Sequence, residues 1–332
     1  MQKFKSVIEK EKTMEEFTEY TLPVFHEGKT KIESLMKSNF GVFEKMKEEN
    51  LSLLEKNCEP NIVSNRKMVM ISLVSSVVDV RIRKSEYDNN CLCAIAVTDD
   101  KKVWMGGYSN ELKLFDLQGK LHRIVTLKMY DPIMNICMFN KQVVFSDHFA
   151  VKKVSDDDTV GTMFKTGAWK PYGITGSSSG DFLVCLYKDD QSKVVRYSIT
   201  GTVLQEIQYD SQSQPLYLDA KCIAENVNGD IIVSDFIKKE IIVVDGKGIF
   251  RYSYAVKTYV SSVATDSVGQ VFVTDCNGGK IHMLDRDGRF LGYIIPEGGL
   301  NRPRAVCMIG DGEMIVGECR TGLAKIIKFL DK

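Results

Sequence analysis

Carboxylates recur at one register of this chain. Asp147, Asp235, Asp275 and Glu318 each close a short apolar run, in QVVFSD, DIIVSD, QVFVTD and EMIVGE. A single carboxylate placed this way could serve as a general acid or base, or help to hold a cation. Recurrence at one position argues for another task, that of accepting backbone N–H bonds and capping the turn that follows each strand. Metal chemistry finds no better local support. His26, His122, His148 and His282 stand alone and the nine cysteines form no Cys-x-x-Cys pair, so a zinc framework cannot be assembled from adjacent motifs. The run Asp156-Asp157-Asp158 lacks the alternating spacers and turn glycine of a calcium loop and reads as a solvated turn. These residues predict no catalytic side chain, no metal and no cofactor.

Basic and aromatic residues make the stronger set. Tyr108, His148, Phe149, Trp169, Lys170, Tyr172, Lys188, Phe236, Lys238, Lys239, Arg302, Arg304 and Arg320 fall in or beside the stretches that separate apolar runs. Rings interleaved with cations could stack the bases of a single strand and hold its phosphates. Arginine and aromatic side chains are equally the anchors of protein interfaces. The chain as a whole carries 44 basic and 44 acidic residues, which departs from the basic footprint of a nucleic-acid binder. A protein partner is the expectation, with single-stranded RNA as the alternative.

The most hydrophobic run, residues 68–80, contains Asp79 and falls short of the roughly 20 apolar residues that span a bilayer. The amino terminus shows no signal-peptide pattern and the scattered cysteines read as reduced core residues, which together predict a cytoplasmic chain with no membrane contact.

The elements that must position these residues follow two periods. Up to about residue 57, apolar side chains keep helical spacing, with Ile32, Met36, Phe43, Met46 and Leu53 on a three-four alternation. That seam could pair two chains into a homodimer, and an amphipathic helix lying against the following domain fits the same pattern. After about residue 76 the chain turns to apolar runs of four to six residues between turn residues. Six copies superimpose through KVWMGG, QVVFSD, DFLVCL, DIIVSD, QVFVTD and EMIVGE, spaced 39 to 49 residues apart. A period near 40 with four strands per unit predicts β-propeller blades.

Runs such as Ile231-Ile232-Val233 show no alternation, as expected of strands covered on both faces. In a four-strand meander the loops leading into the innermost strand share one rim with the loops joining second to third strand, which gathers the basic and aromatic candidates together. The last copy holds three strands only. Val77 to Ile82 is the expected fourth, closing the ring and removing an unpaired edge. The organisation read here is a helical or coiled-coil segment at 1–60, a linker at 61–75 and a propeller at 76–332.

The repeat skeleton has an apolar lead-in, a glycine turn, an apolar strand ending in an acid, a second strand and another turn. It is clearest in VATDSVGQVFVTDCNGGKIHMLDRDGRF and PRAVCMIGDGEMIVGECRTGLAKIIKFL. This skeleton resembles the NHL repeat. A helical region ahead of it, with the run LFDLQGKLHRIVTL, resembles the carboxy-terminal part of tripartite-motif (TRIM) NHL proteins. The resemblance implies an all-β six-bladed β-propeller of NHL type that recognises a protein, or in some members single-stranded RNA, as the substrate-recognition part of a ubiquitin ligase assembly. The zinc-bound RING and B-box arrays of that family have no counterpart in this sequence. Some propeller enzymes, lyases and lactonases among them, hold a metal in the central channel. With no third histidine to join His148 and His282, a metal-dependent hydrolase or lyase is set aside, and a non-catalytic recognition scaffold is expected.

Overall fold

Six antiparallel four-stranded meanders follow one another along the chain in the computed structural model, which describes residues 69–70, 72–80, 91–107, 109–127 and 133–329. The expected helical segment at 1–60, with its seam from Ile32 to Leu53, lies outside the described residues.

Blade I comprises Leu92–Val97, Val103–Gly107, Glu111–Phe115 and Leu121–Thr126. Blade II comprises Asn135–Phe139, Gln142–Ser146, Ala150–Val154 and Val160–Lys165, and blade III Lys170–Gly176, Phe182–Lys188, Gln191–Tyr197 and Val203–Ile207. Blade IV is Ala220–Glu225, Ile231–Asp235, Glu240–Val244 and Phe250–Ala255; blade V is Val260–Thr265, Val271–Asp275, Lys280–Leu284 and Phe290–Ile294. Blade VI takes Pro303–Gly310, Glu313–Glu318 and Leu323–Phe329 from the end of the chain and Ser72–Asp79 from its beginning. Each innermost strand packs against the innermost strands of both neighbours, blade VI meeting blade I. The fold is an all-β six-bladed propeller.

Burial explains why these sequences make these strands. Second and third strands are buried along almost their whole length, as in Ile231–Asp235 and Val271–Asp275, because a neighbouring blade covers each face. Outer strands such as Phe250–Ala255 alternate between half-buried and exposed. The apolar interior is divided into six clusters, one for each blade interface. Trp104 belongs to the cluster between blades I and II, as its place inside an apolar run suggests. Turn chemistry is repeated as faithfully as the strands. Asp245 Oδ1 accepts the N–H groups of Lys247 and Ile249, and Asp285 Oδ1 those of Asp287 and Arg289. Gly248 completes the first of these turns at φ 86°, a left-handed backbone that a side chain would strain.

Closure follows the expected principle with a shifted boundary. The outer strand of blade VI begins at Ser72 and ends at Asp79, pairing antiparallel from Ser72↔Phe329 to Asp79↔Leu323. The sequence reading centred instead on Val77 to Ile82, the more continuous apolar stretch. An outer strand shows one face to solvent and needs no such continuity: Leu73 and Val77 are 55% and 47% exposed, while Val78 is 1% exposed in the cluster between blades VI and I. Ahead of it, Val69–Met70 adds a short parallel pairing to the outer strand of blade V.

Deleting residues 72–79 should leave Leu323–Phe329 as an unpaired edge. The expected outcome is a lower thermal transition and concentration-dependent aggregation by light scattering; an unchanged transition would show that the ring closes without this strand.

Candidate functional site

One rim of the ring carries the loops that lead into the innermost strands and those that join second to third strands. The recurring acids build it. Asp235, fully buried, accepts at Oδ2 from Leu218 N (2.6 Å) and Asp219 N (3.0 Å), and at Oδ1 from Ile237 N (3.1 Å) and Lys238 N (2.9 Å). One carboxylate thus ties the incoming loop of blade IV to the next turn of the same blade. Asp147 accepts from Phe149 N and Ala150 N. Asp275 takes Gly278 N and the Thr258 hydroxyl, and Glu318 takes Asn301 N and the Thr321 hydroxyl. These acids hold loops in place through backbone and hydroxyl bonds, as their repetition implied, and Asp147, Asp275 and Glu318 also pair with Lys152, Lys280 and Lys325.

On this frame the rings converge. His148 lies 6.5 Å from Phe149 and 6.2 Å from Tyr172, which meets Tyr187 edge-on at 6.3 Å. Lys221 places its ammonium 3.7 Å above the Tyr172 ring and 2.9 Å from Asp219. The arc crosses blades II, III and IV. A second group follows, with Phe236 stacked on Tyr259 at 5.0 Å and Lys239 Nζ 5.1 Å from the same tyrosine. Phe149 and Phe236 are 59% and 41% exposed.

Other candidates are placed differently. Trp169 is half-buried against the cluster between blades II and III, with Lys193 Nζ 4.4 Å from its ring, while Lys170 beside it is exposed. Lys238 donates to the carbonyls of Leu216 and Pro215 and so braces the loop. Lys188 is half-buried and 3.8 Å from Asp189. Arg302 and Arg320 are exposed, and Arg304 is half-buried near the joint of blades VI and I, its Nη1 3.8 Å from Cys319 Sγ. Tyr108 lies outside the described residues. Sequence reasoning missed Lys221 and Tyr259. Tyr259 directly precedes an innermost strand but lacks the proline that marked other incoming loops, and Lys221 sits within a strand, where lysine reads as a solvated edge.

The innermost strands of all six blades enclose a central cavity of about 330 Å³. Cys93, Asn135, Cys137, Cys222, Ser262 and Cys307 line it, and none of the three described histidines does. Burial pushes the Cys137 thiol up to about 12 and raises Cys222 and Cys307, whereas a hydrogen bond with Cys91 lowers Cys93. Among the described residues no group of three or more His, Cys, Asp or Glu could hold a metal ion. His282 sits in a buried third strand away from this cavity. Its Nδ1 is 2.9 Å from Tyr254 Oη of blade IV and its Nε2 3.3 Å from Asp275 Oδ2.

Solved structures share this architecture. A virginiamycin B lyase from Staphylococcus aureus is 13% identical, with 78% of this chain and 100% of that one covered at a TM-score of 0.58. A gluconolactonase from Xanthomonas campestris is 11% identical, with 72% and 86% covered at 0.58, and the calcium-binding protein regucalcin from Agrobacterium tumefaciens is 10% identical, with 80% and 96% covered at 0.60. The likeness is one of fold. No protein-family model and no curated protein sequence matches the chain, so the NHL and TRIM resemblance gains no support beyond the propeller itself. One expectation is corrected. The chain was expected to be non-catalytic, but propellers of this architecture include a lyase and a gluconolactonase, and a rim of loops around a channel is compatible with chemistry. Among the described residues no helix is long and apolar enough to cross a membrane.

Two outcomes follow for the loop-holding acids. Asp235→Ala strips four N–H groups of their acceptor and should cost about 3 kcal/mol in denaturant unfolding, far more than an exposed Asp→Ala change elsewhere. For Asp275, burial raises the carboxyl, but hydrogen bonds from His282, Thr258 and Gly278 N outweigh it and hold the group below its ordinary 3.8. Its contribution to stability is therefore present above about pH 4 and lost as pH falls through the native value. Asp275→Asn should flatten the acid limb of stability against pH, and an acid limb identical to that of the parent would show that this carboxylate is not linked to folding.

Proposed function

We propose that the rim of blades II to VI is a recognition surface for an acidic segment of a protein partner, anchored by an aromatic or aliphatic side chain. The observation that carries this reading is a separation of charge. Asp147, Asp235, Asp275 and Glu318 are each no more than 2% exposed, bonded to the loops they hold, and Lys152, Lys280 and Lys325 pair with three of them, whereas Lys170, Lys239, Arg302 and Arg320 face solvent. A chain with no net charge thereby presents a positive rim, tempered by the outward carboxylates of Asp189, Asp190 and Glu297. Local fields of this kind steer an acidic partner and fix its register.

The exposed rings favour protein over nucleic acid as the partner. Phe149, Phe236 and Ile237 stand out from the rim, giving separate apolar anchors, while Tyr172 and Tyr187 meet edge-on and Lys221 covers the Tyr172 face that a base would stack upon. Membership of a ubiquitin ligase assembly rests on the tripartite-motif resemblance alone, and the recognition reading does not depend on it.

Capture from cell extract by the 1–332 chain, with and without nuclease, identifies binders that are then purified and titrated directly. Loss of a hot-spot ring costs about 2 kcal/mol, roughly thirtyfold in Kd. The expected result is a directly binding protein with an acidic segment, weakened by that factor in Phe149→Ala and in Phe236→Ala and lost in Lys170→Glu with Arg302→Glu. Binding that vanishes with nuclease would favour single-stranded RNA, and unaltered affinity in all these variants would remove the rim as the site.

A further inference from the structure

The joint between blades VI and I holds a feature that the rim does not use. Cys91 immediately precedes the innermost strand of blade I, and Cys319 immediately follows the second strand of blade VI. Their sulfurs lie 2.9 Å apart. Gly107 makes this approach feasible. Any Cβ at that position would lie 1.8 Å from the Cys91 carbonyl oxygen, and the adjacent pairing of blade I is bulged between Leu92 and Ala94, which re-aims the backbone at the channel mouth. Cys91 is fully enclosed, Cys319 is half-buried on the solvent side, and Arg304 Nη1 stands 3.8 Å from the Cys319 sulfur.

We propose that Cys91 and Cys319 form an oxidisable dithiol that closes into a disulfide and locks the propeller ring. The sulfurs need to approach by about a further 0.9 Å to reach bonding distance, within side-chain rotation. A peroxide is the class of oxidant that suits the site, since the exposed approach is to Cys319. Its thiolate displaces hydroxide from hydrogen peroxide to give a sulfenic acid; the Cys91 sulfur then attacks that sulfur, forming the S–S bond and expelling the oxygen as water. In sum two thiols and one peroxide yield one disulfide and two waters, the sulfurs losing two electrons to the O–O bond.

Topology gives the bond its consequence. The two cysteines are 228 residues apart, and the intervening chain runs through all six blades. The ring otherwise closes through non-covalent pairing of Ser72–Asp79 with Leu323–Phe329. Residue 91 lies on the same side of that pairing as Ser72–Asp79, and residue 319 on the side of Leu323–Phe329. A disulfide therefore turns the propeller into a covalent circle across its one non-covalent joint, and constrains the unfolded chain through a long loop. Hydrogen bonding with Cys91, and then burial, push the Cys319 thiol above its ordinary range, so closure accelerates as pH rises.

The test treats the full 332-residue chain with hydrogen peroxide at pH 7 and pH 9, blocks remaining thiols, and maps peptides without reduction. The proposal expects a Cys91–Cys319 linked peptide formed faster at pH 9, loss of two titratable thiols, and a thermal transition raised by several degrees and restored by dithiothreitol. Cys319→Ser should abolish both the link and the shift. Cys319 ending as sulfinic acid with Cys91 unmodified, a link from Cys319 to Cys93, or a shift that persists in Cys319→Ser would each overturn it. Should Cys319→Ser fail to fold, the linked peptide in the parent chain alone decides.

Discussion

Two-sided burial is the constraint from which this structure follows. The middle strands of each blade are apolar on both faces, so no blade can satisfy its own sequence in isolation. Each requires a neighbour on either side, and a row of such sheets has two uncovered ends. A ring has none. The six interface clusters, one per joint, are the physical form of that requirement, and the pairing of Ser72–Asp79 with Leu323–Phe329 is what makes the first and last sheets count as neighbours.

The same constraint decides where function can reside. Side chains of the middle strands are committed to packing, and the repeated Asp turns leave little freedom on the opposite rim, where Asp245 and Asp285 bind their own backbone. What remains is the loop rim and the channel wall. Holding the rim loops consumes carboxylates, because only an acceptor with several lone-pair sites can take N–H groups from two loops at once, as Asp235 does. The rim's carboxylates are therefore committed to holding its loops, and Lys152, Lys280 and Lys325 pair with three of them.

Much of this was legible in the residues. The 39 to 49 residue spacing of six apolar runs specified the blade number, and acids recurring at strand ends marked the residues that hold the following turns. The need for a closing strand was also readable, although its boundary was not, since a half-exposed strand such as SLVSSVVD alternates and hides among polar residues. Within the rim, Phe149, His148 and Tyr172 could be chosen by loop position, yet their meeting depends on how adjacent blades are rotated about the ring. Lys221 and Tyr259 were missed for that reason: one belongs to a strand and the other has no turn signal, and only the neighbouring blade gives each its partner. The expectation of a non-catalytic chain rested on different grounds. The absence of a local histidine motif says little in a fold where six distant strands converge on one channel, and solved propellers of this architecture include enzymes.

The cysteines show why residue type alone settles little in such a ring. Cys137 and Cys307 face the cavity from separate strands, and burial raises both thiols. Cys222 is occupied in turn by a hydrogen bond from Asn135 Nδ2. Their strands are fixed by sheet pairing on one side and by neighbouring blades on the other, so each sulfur stays where its own blade puts it. Cys91 and Cys319 differ because they flank the joint at which the two ends of the chain meet. A bulge at Leu92 and a glycine opposite bring one sulfur within bonding reach of another that is far away in sequence. Their chemistry is thus a property of ring closure, invisible in a list of scattered thiols and dependent on the same joint that the interface clusters require.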